Sequence, residues 1–438
     1  MTENTSAIPA PPAVGTELTL RVDTLAHGGA GVARVDGRVL FVDGALPGEE
    51  VVAKVTKSKA RYLTASTAQV LQASPARRAP DCPHEAEGCG GCGWRYVEAE
   101  PGLGLKAETA AREMAKVARE VSWPAPVLLP VAQHDGVRTR VRLHVTEGRI
   151  GLFAEGSRRV VAIPQCLSLD PRLLVVAQAL QRALSGQDDA YGEVAVDLDG
   201  RGQVVISWRG RVGAALWTRL VDLVERRVFS GVRVEGRGGG VRDHGDLWLV
   251  DQVALPELKT AVHRFAGTFG QATPAGNAHL QAEVAQWVQG EKATRVFDLY
   301  AGSGNFSLVL AAFAQEVIAV EVVQDALKGL RRGATAAGYA HLQVVPWDLS
   351  QGIPERAELG REDCVILDPP RQGAREIMGD LRRYAPRSIL YVSCEPTTLA
   401  RDVAALGGDY AVARLAMVDL FPRTPHLESV AWLRRVDP

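Results

Sequence analysis

Three successive patterns predict a multidomain α/β protein. Short β-branched runs split by glycine turns come first, a mixed strand and helix region follows, and a regular alternation of apolar strands with helices closes the chain. They predict an N-terminal OB-like β-barrel, a central α+β domain and a C-terminal Rossmann-like domain. The 438 residues are too many for one ordinary domain, and 46% hydrophobic with 23% charged residues is a soluble globular composition.

Residues 1–14 are rich in Ala and Pro and lack a basic stretch followed by an apolar one. They are expected to be a disordered tail and not a secretory signal. No apolar run is long enough to span a bilayer, so no membrane role and a cytoplasmic location are expected. Residues 15–73 hold LTLRV, GVARV, RVLFV and EEVVAKVTK, separated by HGGAG, VDGR and GALPGE, as strands and turns of the barrel.

The central domain is expected over 74–268, with part of 93–125 able to pack on the catalytic domain. It opens on a cysteine-rich stretch with little periodicity, then a helix over 103–119. RTRVRLHVTE, RIGLFAE, RRVVAI, YGEVAVDLD, QVVISW and DLWLVD read as strands, and PRLLVVAQALQRAL and GAALWTRLVDLVERR as helices. From 269 to 438 strands such as RVFDLYA, EVIAVEV, DCVILDPP and SILYVSC alternate with helices such as GNFSLVLAAFA and PTTLARDVAAL. Apolar strands between helices indicate a parallel sheet buried on both faces.

The net charge is −1, which argues weakly against a polyanionic partner, but charge is not evenly spread. Between Val51 and Pro80 stand Lys54, Lys57, Lys59, Arg61, Arg77 and Arg78 with no acid, and Arg138, Arg140, Arg142, Arg149, Arg158 and Arg159 form a second basic stretch. Each is as readily a solvated face as an RNA-binding one.

Four motifs carry chemistry. Asp298-Leu-Tyr300-Ala-Gly302-Ser-Gly304-Asn305 sits where a strand turns into a helix, and glycines there let a ligand approach the backbone. Glu321, at the end of the next strand, suits the two hydroxyls of a ribose, and Asp348, at the end of the third, can reach an adenine edge. The glycine run is not a dinucleotide fingerprint, and the acid before it favours S-adenosylmethionine. Asp368-Pro-Pro-Arg371 places an acid in the same cleft. An aromatic after D-P-P would suggest amino-group methylation; here Arg371 follows.

Cys394, in Val392-Ser-Cys-Glu-Pro396, closes a strand just before a helix N-terminus, where a thiol is expected to have a lowered pKa. A thiolate that adds to uracil C6 makes C5 nucleophilic enough to take a sulfonium methyl. The C5 proton must then leave, and Glu428 offers a carboxylate. A buried inert thiol, which suits Cys364 better, is the alternative. Cys82, Cys89 and Cys92, with Cys166 further on, suit an iron–sulfur cluster; zinc is the main rival and free thiols the third reading.

These motifs resemble the RNA 5-methyluridine methyltransferase family in its TRAM-domain, iron–sulfur branch. DLYAGSGNFS, VE, LDPPR, YVSCEP and FPRTPHLES follow the family's order, and the likeness covers nearly the whole chain. The resemblance implies a TRAM-like RNA-binding barrel and a [4Fe–4S] cluster on Cys82, Cys89, Cys92 and Cys166. It implies Cys394 as nucleophile and Glu428 as the base for the C5 proton. It also implies cofactor contacts from Gln271, Tyr300, Asn305, Glu321, Asp348 and Asp368. Two departures stand out: Thr273 replaces the Asn of F-x-Q-x-N, and the first cysteine spacing is one residue longer than usual.

The reading is a uracil-C5 RNA methyltransferase with 23S ribosomal RNA as substrate and no obligate protein partner. A tRNA methyltransferase, a D-P-P amino-methyltransferase and a non-catalytic RNA-binding or redox protein are the alternatives. The second predicts activity without Cys394, and the third predicts no cofactor binding.

Overall fold

The computed structural model describes residues 10–436. The expected disordered tail lies, over its first nine residues, outside the described residues. The chain divides into two compact units.

The smaller unit comprises 1–81, 92–113 and 423–426. Its six-stranded sheet runs, from edge to edge, Glu17–Arg21, Glu50–Ser58, Tyr62–Gln72, Arg38–Asp43, Gly31–Val35, Thr24–Leu25. Alternation turns Leu40, Val42, Val51, Ala53, Leu63 and Ala65 into one apolar core. Register shifts along Glu50–Ser58 bend the longest pair.

The basic run is not a uniform face. Lys54, Lys57, Lys59 and Arg61 are exposed. Arg77 instead forms an ion pair with the fully buried Glu49, whose carboxylate also accepts the Leu46 and Ser74 N–H groups at 2.8 and 3.1 Å. Arg78 pairs with Asp81.

The larger unit comprises 82–91, 114–422 and 427–438. It contains a seven-stranded sheet in the order Val160–Ala162, Arg149–Phe153, Arg140–Thr146, Tyr191–Leu198, Val204–Arg211, Gly231–Glu235, Val241–Gly245. Pro171–Ala183 and Ala214–Glu225 pack their apolar stripes on it around Leu143, Leu173, Leu180, Ile206, Trp208 and Leu216. A hairpin, Trp248–Gln252 with Ala261–Phe265, follows.

The remaining sheet has eight strands, here labelled β1 (Val127–Leu129), β2 (Arg295–Leu299), β3 (Glu316–Glu321), β4 (Leu342–Pro346), β5 (Cys364–Leu367), β6 (Ser388–Ser393), β7 (Tyr410–Val418) and β8 (Glu428–Arg435). Their order is β4-β3-β2-β5-β6-β8-β7-β1. The first five of that order are parallel, β8 is antiparallel to β6 and β7, and β1 pairs parallel to β7. The helices used below are α1 (Pro274–Gly290), α2 (Ser307–Leu310), α3 (Gln324–Ala337), α4 (Met378–Tyr384) and α5 (Pro396–Ala405).

CVIL in β5 and SILYVS in β6 are buried at every position, as the apolar runs predict. The helix expected over GNFSLVLAAFA is shorter: only the four residues of α2 are α-helical, and turns complete the segment. Chain order reverses between β2 and β5, so the connections leaving their carboxyl ends diverge and open a cleft there.

Candidate active site

The cleft is lined at one end by the glycine loop after β2. Tyr300 has φ +67°, a left-handed conformation costly for a residue with a Cβ, and it turns the chain sharply out of the strand. Gly304 follows at φ +90°, where a Cβ would strike Leu330 of α3.

Glu321, at the end of β3, reaches across to this loop. Its Oε2 accepts the Gly302 N–H at 2.9 Å, and its Oε1 accepts the Val322 and Val323 N–H groups at 2.7 Å each. Val322 and Val323 are half-exposed beside it, an apolar surface with a carboxylate at its edge. Asp348 is spent partly on structure: it accepts the Ser350 N–H at 2.9 Å and caps a single 3₁₀ turn, bonds that hold its carboxyl below the usual range.

Asn305 and Asn277 of α1 exchange amide hydrogen bonds of 2.8 and 2.9 Å, and Gln281 donates to Asn305 Oδ1 at 3.1 Å. The structure therefore uses Asn305 to tie the glycine loop to α1. Gln271 lies, half-buried, in the segment entering α1, where the Thr139 N–H donates to the Ala272 carbonyl at 3.0 Å. Thr273, the departure noted above, is buried and donates through Oγ1 to the Leu420 carbonyl at 2.8 Å, so it anchors this segment to the end of the β7 arm.

Two residues without an assigned role emerge here. Asp298 is almost fully buried; one carboxylate oxygen accepts Ser307 Oγ–H and the other has no partner. Burial first, and Glu321 second, push its pKa up to about 7, while Ser307 opposes them. Arg371 is exposed beside Cys394, and its positive charge acts to lower the pKa of that thiol. Position in D-x-Y-x-G and in D-P-P-R could have flagged both; nothing in the sequence pairs Asn277 with Asn305.

At the other end of the cleft the sheet register does the work. β6 and β8 are antiparallel with Ser393 opposite Ser429, which sets Cys394, one residue on, against Glu428. Asp368, leaving β5, faces the same point. Burial, then Asp368, drives Glu428 well above the carboxylate range, with Arg371 opposing. Burial, then the neighbouring Asp298, raises Asp368 to about 7.

The thiol departs from its sequence expectation. Burial, then Glu428, pushes Cys394 up to about 11 in the ligand-free protein, and Arg371 only partly offsets this. The helix start at Pro396 is present, but desolvation and two flanking carboxyl groups outweigh it.

The ligand-free protein should lose stability as pH rises. A buried acid whose folded pKa is raised binds its proton more tightly in the native state. Its contribution is complete below about pH 4 and is lost as pH climbs through about 7. Asp298→Asn should flatten this slope, by about 2–3 kcal/mol between mildly acidic and alkaline pH. Melting curves of the two proteins across that range test it; superimposable slopes would refute the assignment.

Of the cysteines of the predicted cluster, Cys82, Cys89 and Cys166 belong to the larger unit and Cys92 to the smaller. Cys89 bridges Ala154 through its backbone, and Cys89 and Cys166 both pack against the core of the seven-stranded sheet. Among the described residues no three His, Cys, Asp or Glu side chains converge closely enough to hold a metal ion. Among them, too, no helix is long and apolar enough to cross a membrane.

Residues 12–68 match the TRAM domain, and residues 355–436, which include Asp368, Cys394 and Glu428, match the tRNA (Uracil-5-)-methyltransferase family. The 23S rRNA (uracil(1939)-C(5))-methyltransferase RlmD of Shewanella sediminis is 31% identical over 95% of this chain and 96% of its own length. Its counterpart in Pseudomonas entomophila is 33% identical over 95% and 94%. The tRNA (uracil-54, C5)-methyltransferase of Pyrococcus abyssi, solved with S-adenosyl-L-homocysteine, has the same fold, with a TM-score of 0.73, 22% identity, and coverage of 95% of this chain and all of that one. With end-to-end likeness of this degree, the chain belongs to the family of S-adenosylmethionine-dependent RNA uracil-C5 methyltransferases.

Proposed function

We propose that this enzyme methylates C5 of a uridine in 23S ribosomal RNA through a covalent bond between Cys394 and uracil C6. The observation that carries the chemistry is the convergence of Cys394, Glu428, Asp368 and Arg371 at the carboxyl ends of β5 and β6, set by the β6–β8 register. Support for the substrate comes from the relatives' names and the TRAM match. The target base must leave its stack to reach Cys394 in the cleft.

S-adenosylmethionine, when bound, supplies an electrophilic methyl group. The residues present fit it: the orphaned Asp298 carboxylate oxygen suits an ammonium group, Glu321 a ribose, and Val322 with Val323 an adenine face. Gln271, Tyr300, Asn305, Asp348 and Asp368 complete the proposed cofactor contacts, with Asn305 acting chiefly by holding the loop. Glu321→Ala should raise the KM for cofactor by about 10-fold or more while leaving RNA affinity unchanged, since a charge-assisted bond is worth about 1.5–3 kcal/mol. Unchanged cofactor KM would remove Glu321 from the site.

Within the chain, Arg371 is placed to favour the thiolate as the sulfur loses its proton, and Asp368 to hydrogen-bond the uracil edge in its protonated form. Glu428, close to Cys394, removes the C5 proton, and elimination then frees the cysteine. Cys394 and Glu428 must both lose protons that burial favours, so the rate is expected to rise from neutral to alkaline pH.

What supports a [4Fe–4S] cluster on Cys82, Cys89, Cys92 and Cys166 is cysteine spacing and resemblance alone. No step above uses the cluster. Anaerobic incubation with iron and sulfide, followed by iron analysis and Mössbauer spectroscopy of wild type and Cys89→Ser, tests it: four irons per chain in the first and loss in the second is the expected result, and no bound iron refutes it.

Methylation of defined transcripts distinguishes substrates. Transfer to 23S fragments and not to tRNA is expected, and transfer to tRNA alone would overturn the ribosomal assignment.

A further inference from the structure

The loop that follows Asp368 is fastened to the helix that follows Cys394. Thr398 Oγ1 donates to the Arg371 carbonyl at 3.2 Å, Arg401 Nη2 donates to the Gln372 carbonyl at 2.8 Å, and the Ala374 N–H donates to Asp402 Oδ2 at 2.8 Å. Gly373, at φ +85°, lies so close to α5 that a Cβ there would overlap Thr398 and Asp402. Attachments at three of its four residues leave this loop little freedom of its own.

Asp402 is the hub of the arrangement. It is 1% exposed. Its Oδ2 also accepts the Tyr391 hydroxyl of β6 at 2.7 Å, and its Oδ1 accepts Arg401 Nε and Nη2 at 2.9 and 2.7 Å. A carboxylate this buried is tolerated because donors surround it, and those donors come from β6, α5 and the loop. Both ends of the clamp adjoin the site: Cys394 lies two residues before α5, and Arg371 is the first residue of the loop.

We propose that Asp402 is a positioning residue that, through the loop Arg371–Ala374, holds the Arg371 guanidinium against the sulfur of Cys394. The inference rests on the reading of Cys394 as nucleophile. A purely structural role, satisfying the Tyr391 hydroxyl in the core, predicts that Tyr391→Phe and Asp402→Asn behave alike. The positioning role separates them, because Tyr391→Phe leaves every loop contact in place.

The test compares the full-length wild type with Asp402→Asn, Arg401→Ala, Tyr391→Phe and Cys394→Ala, each checked for folding by thermal melt. Methyl transfer to RNA is measured at saturating and limiting RNA from neutral to alkaline pH. For Asp402→Asn we expect kcat to fall by about 10-fold or more with an RNA KM within about 2-fold of wild type. The rising limb of its pH profile should move to higher pH by roughly one unit, because Arg371 lowers the pKa of both Cys394, which Glu428 and Asp368 raise, and Glu428 itself. Arg401→Ala, whose side chain is exposed, should show a smaller shift in the same direction, and Tyr391→Phe none. If Asp402→Asn does not fold, the profile of Arg401→Ala decides. Wild-type profiles in the folded clamp variants, with Cys394→Ala inactive, would overturn this inference alone. Activity in Cys394→Ala would overturn the nucleophile reading beneath it.

Discussion

Cys394→Ala is expected to reduce methyl transfer to uridine by roughly 10⁴-fold or more, the scale on which loss of a covalent nucleophile acts. Uracil C5 has little nucleophilicity until a group adds at C6, so binding and positioning alone cannot make up the loss. Cofactor binding should persist, because Cys394 leaves β6 on the far side of β5 from the glycine loop and Glu321. Radiolabelled methyl transfer and equilibrium binding of S-adenosylhomocysteine measure the two separately. Loss of both would indicate a misfolded variant, and retention of both would favour an amino-methyltransferase of the D-P-P type.

Glu428→Gln is expected to stop the reaction after methylation but before product release. Removing a general base costs typically 10²–10⁴-fold. The lost step is proton abstraction from a C5 that already bears the methyl group, so the enzyme should accumulate as a covalent complex with ordinary, unfluorinated RNA. A denaturation-resistant protein–RNA band carrying the label is the expected signature. The amide is nearly isosteric and relieves a buried acid whose ionised form is disfavoured, so the variant should be at least as stable as wild type at alkaline pH. A slow variant that forms no complex would mean that Glu428 acts before or during addition.

Much of the eight-stranded sheet was legible because its parallel strands are buried on both faces and stand out as apolar runs. CVIL and SILYV needed no tertiary information, and the residues just beyond them were readable as cleft residues for the same reason. β1 was not legible. Val127–Leu129 is three residues long and partly exposed, and its partner Ala416–Val418 lies far along the chain. Nor did GNFSLVLAAFA reveal that its helix closes after four residues, since apolar content marks burial and not helix length.

The site was readable as a set of residue types and less so as an electrostatic system. The position of Cys394 suggested an easily ionised thiol. The opposite direction arises from burial first, then from Glu428 and Asp368, which converge on it from different strands. The orphaned oxygen of Asp298, the pairing of Asn277 with Asn305 and the hub at Asp402 likewise join segments with no local signature. The basic run before Pro80 is a mixed case: its lysines are exposed, whereas Arg77 serves the buried Glu49.

The most direct test of the covalent mechanism is mass spectrometry of the enzyme incubated with S-adenosylmethionine and a 23S RNA fragment carrying 5-fluorouridine. Fluorine at C5 cannot leave as a proton, so the adduct should be trapped after methyl transfer. The account predicts a methylated fluorouridine fragment attached to the peptide containing Cys394, and none in Cys394→Ala. Methylation of the unfluorinated RNA with no adduct on Cys394 from its fluorinated counterpart would contradict it.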